Sequence, residues 1–72
     1  MDDVNLTRRA FAAYFRSGGF DQPANSSGVV KLDGIWYVVL HNVRRTLAVY
    51  RVKNDGRLRR LTEWPKELDD AL

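Results

Sequence analysis

A chain of 72 residues is one domain at most, spanning 1–72, and at this size it buries only roughly 60% of the surface its unfolded form exposes, which leaves little room for a deep catalytic cleft. It has no cysteine and a single histidine, His41, so a disulfide framework, a thiolate metal site and a multi-histidine metal site are excluded. The net charge of +3 hides an uneven layout: Arg44, Arg45, Arg51, Lys53, Arg57, Arg59 and Arg60 stand against Asp55 alone between positions 44 and 60, while Asp2, Asp3, Glu63, Glu67, Asp69 and Asp70 lie outside that stretch. A basic middle between acidic ends implies an anionic partner or neutralisation within the fold.

From about Leu6 to Ser17 the spacing predicts a helix. At about 100° per residue, Thr7, Ala10, Phe11, Tyr14 and Phe15 fall on one side, Arg9, Ala12 and Arg16 on the other, and Arg8 at the boundary. Asn5 or Asp3 is placed to cap its start, Asp2 and Asp3 suit the positive end of its dipole, and Gly18-Gly19 supplies a left-handed end. Phe11 and Phe15 are expected in the core. The stretch Gly18 to Gly28, rich in Gly, Asp, Pro, Asn and Ser, is a loop.

Four turn-separated apolar runs follow: Val29 to Leu32, Ile35 to His41, Thr46 to Lys53 and Arg57 to Thr62. They read as an antiparallel meander whose register is set by its turns. Asp33-Gly34 is a two-residue type I′ signal, which pairs Leu32 with Ile35, Lys31 with Trp36 and Val30 with Tyr37. A four-residue loop at Asn42-Val43-Arg44-Arg45 would pair Leu40 with Leu47, Val38 with Val49, Tyr37 with Tyr50 and Trp36 with Arg51. Asn54-Asp55-Gly56 suits a three-residue loop that pairs Val52 with Leu58 and Arg51 with Arg59.

Side chains alternate along strands, so this register predicts two faces. Val30, Leu32, Ile35, Tyr37, Val39, Ala48, Tyr50, Val52 and Leu58 form one, with Arg60 near its edge, and receive the helix. On the other, Val29, Val38, Leu40, Leu47, Val49 and Leu61 form an apolar half, while Lys31, Trp36, Arg51, Lys53 and Arg59 gather at the opposite end. The apolar half needs a cover. One candidate is the C-terminal segment, a short helix begun by Pro65 with Leu68 and Leu72 on one side; its acids would then lie near the basic end and gate it. The other is a second copy of the chain.

The fold expected is therefore α+β: an N-terminal helix on a three- to four-stranded antiparallel β-meander, with a short C-terminal helix. No phosphate loop, nucleophile elbow, metal spacing or catalytic triad is present, and Asp69 and Asp70 are a poor setting for raised carboxyl pKa values, so no enzyme activity, cofactor or metal is expected. The longest apolar run, Ile35 to Leu40, is far short of the ~20 residues of a membrane span. No signal peptide is read in the acidic start, and a cytoplasmic setting is expected. Without an export signal the triplets Asn5-Leu6-Thr7 and Asn25-Ser26-Ser27 carry little meaning as glycosylation acceptors.

Two binding functions fit this surface. Trp36 ringed by Lys31, Arg51, Lys53 and Arg59 would let a nucleic-acid base stack while phosphates meet the cations. The plainer reading of the same residues has the stem of Arg51 covering Trp36 with a local cation–π contact, and Arg57, Arg59 and Arg60 guarding a solvated edge strand. The second function is a protein-interaction or homodimer contact through Val38, Leu40, Leu47 and Val49.

Overall fold

Short turns dictate the architecture. Asp33 and Gly34 both take left-handed conformations, with φ of 51° and 79°, and fold the strand Gly28–Leu32 (β1) directly back into Ile35–His41 (β2) as a type I′ hairpin. Gly56, with φ of 84°, turns Thr46–Val52 (β3) into Leu58–Arg60 (β4), and Lys53 and Arg57 close that loop through an N–H to carbonyl bond of 2.8 Å. The computed structural model describes residues 3–24 and 26–70; Asp2, Asn25 and Leu72, which carry three of the expectations above, lie outside them. The helix Asp3–Arg16 (α1) precedes a four-stranded antiparallel meander in the order β1-β2-β3-β4, and a short 3-10 helix, Lys66–Asp70 (η1), follows it.

Both outer hairpins have the expected register, with Lys31 opposite Trp36 and Arg51 opposite Arg59. The central pair does not. The four-residue loop forms, held by Asn42, whose Oδ1 accepts from the N–H groups of Arg44 and Arg45 at 2.9 and 3.0 Å, and His41 faces Thr46. The next pair, however, is Leu40 with Ala48, so Leu47 is an extra residue on β3, a β-bulge. From there Val39 faces Val49, Val38 faces Tyr50 and Tyr37 faces Arg51, in place of Leu40 with Leu47, Val38 with Val49, Tyr37 with Tyr50 and Trp36 with Arg51. A one-residue slip exchanges faces.

Each hairpin is therefore partitioned as expected, but the two are joined the other way up. Val29, Val38, Leu40, Ala48, Tyr50, Val52 and Leu58 pack with α1, and the bulge lets Leu47 join them. Val30, Leu32, Ile35, Tyr37, Val39, Val49 and Leu61 share the opposite side with Trp64 and Leu68. On the helix the buried line is Leu6, Ala10 and Tyr14, because α1 starts at Asp3 and brings Leu6 into the stripe. Asn5 therefore lies inside the helix rather than at its cap. Phe11 is only partly buried, and Phe15 is not core: it is 42% exposed and meets the Tyr14 ring edge-on at a centroid distance of 5.3 Å.

The helix ends in a Schellman arrangement, the N–H of Gly19 bonding the carbonyl of Tyr14 at 3.0 Å and that of Gly18 the carbonyl of Phe15 at 3.2 Å. Gly19 is required by space, since a Cβ there would sit 2.4 Å from the Tyr14 ring. Beyond the helix, Ser27 extends the hairpin with its side chain. Its hydroxyl donates to the His41 carbonyl at 3.2 Å and accepts from the His41 N–H at 3.1 Å, which makes His41 a strand-end residue.

Candidate nucleic-acid interface

The bulge divides the five residues expected to form one site. Lys31 and Trp36 lie on the helix side of the sheet, directly opposite each other across β1 and β2. There the Lys31 ammonium stands 5.4 Å from the centroid of the half-buried Trp36 ring. The cation–π contact of the plainer reading thus exists, with Lys31 in the place given to Arg51. Arg51 and Arg59 lie on the other side, paired across β3 and β4, and Lys53 follows at the end of β3.

Arg51, Lys53 and Arg59 are all exposed and, with Val52, Asn54 and Asp55, line a shallow cleft of about 340 Å³. Ion pairs among the described residues join Arg45 to Asp21 at 3.0 Å and Arg57 to Asp55 at 3.8 Å. None of the three cleft cations meets a carboxylate there. Arg51 and Arg59 face each other directly as like charges, which weakens a strand pair. Asn54 and Asp55 belong to the same cleft although their composition signals only a turn.

The tail explains why these cations stay open. Leu68 is buried against Tyr37, Val39 and Val49, so the C-terminal segment does cover the sheet, through a 3-10 turn rather than an α-helix. It covers the end nearer the β2–β3 loop. The Trp64 indole N–H donates to Asp69 at 2.9 Å, and this bond, followed by one from Thr46, holds the Asp69 carboxyl below its ordinary range. The expected gate of tail acids over the basic end is not formed: among the described residues none of Glu63, Glu67, Asp69 and Asp70 pairs with Arg57, Arg59 or Arg60. Arg60 instead donates to the Ser17 hydroxyl at 2.8 Å on the helix side.

The four residues expected as an apolar contact surface are placed inside the chain. Val38 and Leu40 lie under α1 with the partly buried Leu47, and Val49 lies under Leu68. They form neither one patch nor an open one. No group of three or more potential ligand side chains is assembled for a metal among the described residues, and no helix there is long and apolar enough to cross a membrane. No protein-family model, curated protein or solved structure matches the chain, so the interface is read from its own geometry.

Proposed function

We propose that this chain is a non-enzymatic binding module for nucleic acid, which it holds by the phosphate backbone across the open side of β3 and β4. The observation that carries the reading is the cleft of three exposed cations, Arg51, Lys53 and Arg59, none of which forms an ion pair among the described residues, the Asp55 carboxylate of the same cleft pairing with Arg57 instead. Phosphates would relieve the repulsion between Arg51 and Arg59 and use the forked geometry of two guanidinium groups. Trp36 leaves the proposed site, because it lies on the other side of the sheet with Lys31 over its ring. The aromatic residue opposite Arg51, Tyr37, is buried and offers no open ring for a base, so binding is electrostatic and tolerant of sequence. Such a ligand and a cysteine-free chain fit a cytoplasmic setting. No partner contact is proposed through Val38, Leu40, Leu47 or Val49.

Titration of single- and double-stranded oligonucleotides at several salt concentrations tests this. Three phosphate contacts give a slope of log affinity against log salt of about −3 on duplex, at roughly −0.9 per contact. The double variant Arg51→Gln, Arg59→Gln should flatten the slope to about −1, while Trp36→Phe should leave it unchanged. A salt-independent affinity, or no binding at low salt by a folded chain, would overturn the proposal.

A further inference from the structure

The two edges of the sheet are guarded unequally. β4 is three residues long and contains Arg59 and Arg60, the short, charged form of an edge that stays unpaired. β1 is Gly28-Val29-Val30-Lys31-Leu32, five residues with no proline and one charge. Leu32 and Ile35 close the two-residue turn, so Leu32, Val30 and Gly28 exchange hydrogen bonds with β2, and the N–H and C=O groups of Val29 and Lys31 point away from the sheet. No other backbone bond reaches these groups among the described residues.

Beside that edge, α1 presents a second apolar stripe. At about 100° per residue Val4, Phe11 and Phe15 fall within about 40° of one another, turned away from the Leu6, Ala10 and Tyr14 line. Val4 is 68% exposed. Val4, Thr7, Arg8 and Phe11 of the helix and Gly28 and Val29 of β1 wall an open groove of about 520 Å³. Phe11 and Val29 are only partly buried against the core beneath them, so the unpaired strand edge and the incompletely covered helix stripe are parts of one surface.

We infer that a second copy of this chain docks here, β1 against β1, about a two-fold axis through Val30. In that register Val29 of each copy stands opposite Lys31 of the other, and all four outward backbone groups of each strand are satisfied at once. The same rotation, perpendicular to the sheet, sets the two helices antiparallel on one side with their Val4 and Phe11 stripes facing each other, an isologous contact. Charge points to self-pairing as well. The groove carries one acid, Asp3, and one base, Arg8, and reversing the helix brings the acidic start of one copy toward the basic part of the other. A groove shaped for an acidic or a basic peptide would carry a single sign. The pairing leaves the Arg51 and Arg59 side open in both copies and does not depend on what that side binds.

Sedimentation velocity of the full chain from micromolar to millimolar concentration should show the mass rising from 8.3 kDa toward twice that value. Over the same range, amide hydrogen exchange at Val29 and Lys31 should slow. Lys31→Pro removes an outward donor and no bond to β2, so it should keep the circular dichroism of the parent while raising the dimer Kd by about tenfold or more, since each copy loses a backbone donor. Val4→Glu, at an exposed helix position, should weaken the dimer without touching the edge. A parent that stays at 8.3 kDa throughout would overturn the inference, as would a dimer that survives both substitutions or one in which exchange at Val29 and Lys31 is unchanged.

Discussion

The two sides of the sheet are built from similar residues but closed by very different means. On one side a 14-residue helix lies over Val38, Leu40, Ala48 and Tyr50; on the other a five-residue turn sets Leu68 against Tyr37, Val39 and Val49. The uncovered remainder of that second side is where Arg51 and Arg59 sit. Where the described cover of the second side stops, the sheet carries charge instead of a buried apolar surface, and that boundary is the surface proposed above for a partner.

Leu68→Ala breaks the comparison most severely, because Leu68 is 1% exposed and is the buried anchor of the short cover. Truncating a core Leu costs about 2 to 5 kcal/mol, a large share of a total of about 5 kcal/mol for a domain of this size. Urea unfolding should therefore find the variant near the edge of stability, as it should Leu40→Ala under the helix. If Leu68→Ala costs much less than Leu40→Ala, the tail is a loose flap and the second side is effectively open.

Gly19→Ala tests the helix side at its rim. The new methyl would meet the Tyr14 ring, and overpacking of this kind costs about 1 to 3 kcal/mol; an unchanged unfolding midpoint would mean that the ring swings aside freely.

Tyr50, in the middle of the helix side, has a buried hydroxyl with no partner. Burial raises its pKa above the ordinary 10.0, against the opposing pull of Arg60. A raised phenol pKa means that folding favours the neutral form, so stability is intact below pH 10.0 and falls as pH climbs above it. Tyr50→Phe should be neutral or stabilising by about 1 kcal/mol near neutral pH, and should remove the part of the alkaline loss that Tyr50 causes. A clear destabilisation by Phe would show that the hydroxyl has a partner.

On the tail side, Asp69 behaves in the opposite sense. Its carboxyl is held low by Trp64 and Thr46, so its contribution is present above the ordinary 3.8 and is lost as pH falls through the lower folded value. Trp64 fluorescence should follow that loss before global unfolding, and Asp69→Asn should shift or abolish the early step. The smallest effect on stability belongs to Arg51→Gln with Arg59→Gln: relief of a like-charged cross-strand pair should leave the fold unchanged or up to about 1 kcal/mol firmer, even as polyanion affinity drops.

The strands, their turns and the pairing within each outer hairpin were legible because Asp33-Gly34 and Asn54-Asp55-Gly56 specify their turns locally. The bulge was not. Nothing at Leu47-Ala48 marks an inserted residue, since both side chains suit a buried strand and the extra position is defined only by what lies across from it. That single residue separated Lys31 and Trp36 from Arg51 and Arg59, and moved Val38, Leu40 and Val49 from an imagined open patch into two cores. Phe15 was misplaced for a different reason: the helix starts one turn before Leu6, so the centre of its stripe moved away from the aromatic pair. The excess of cations over acids in the middle of the chain was visible from composition, whereas the tail's turn toward Thr46, which leaves those cations open, depends on contacts distant in sequence.

Because Leu47 is the bulged position, the chain should tolerate changes of length in a sharply local way. Residues can be gained or lost in the loop 42–45 at the cost of its Asn42 turn, with the strands on either side keeping their pairing. Losing Leu47 itself should also be mild: Thr46 would still face His41 and Ala48 would still face Leu40, now as consecutive residues of an unbroken ladder, so Arg51 and Arg59 would keep their side of the sheet. Losing one residue between Ala48 and Val52 would instead slip every position beyond the gap by one and carry it to the other side. A three-nucleotide deletion in the gene there would change no hydrophobic composition to speak of, yet it would rewrite which half of the protein is interior. Drift in length should accordingly be free as far as the bulge and forbidden a few residues later.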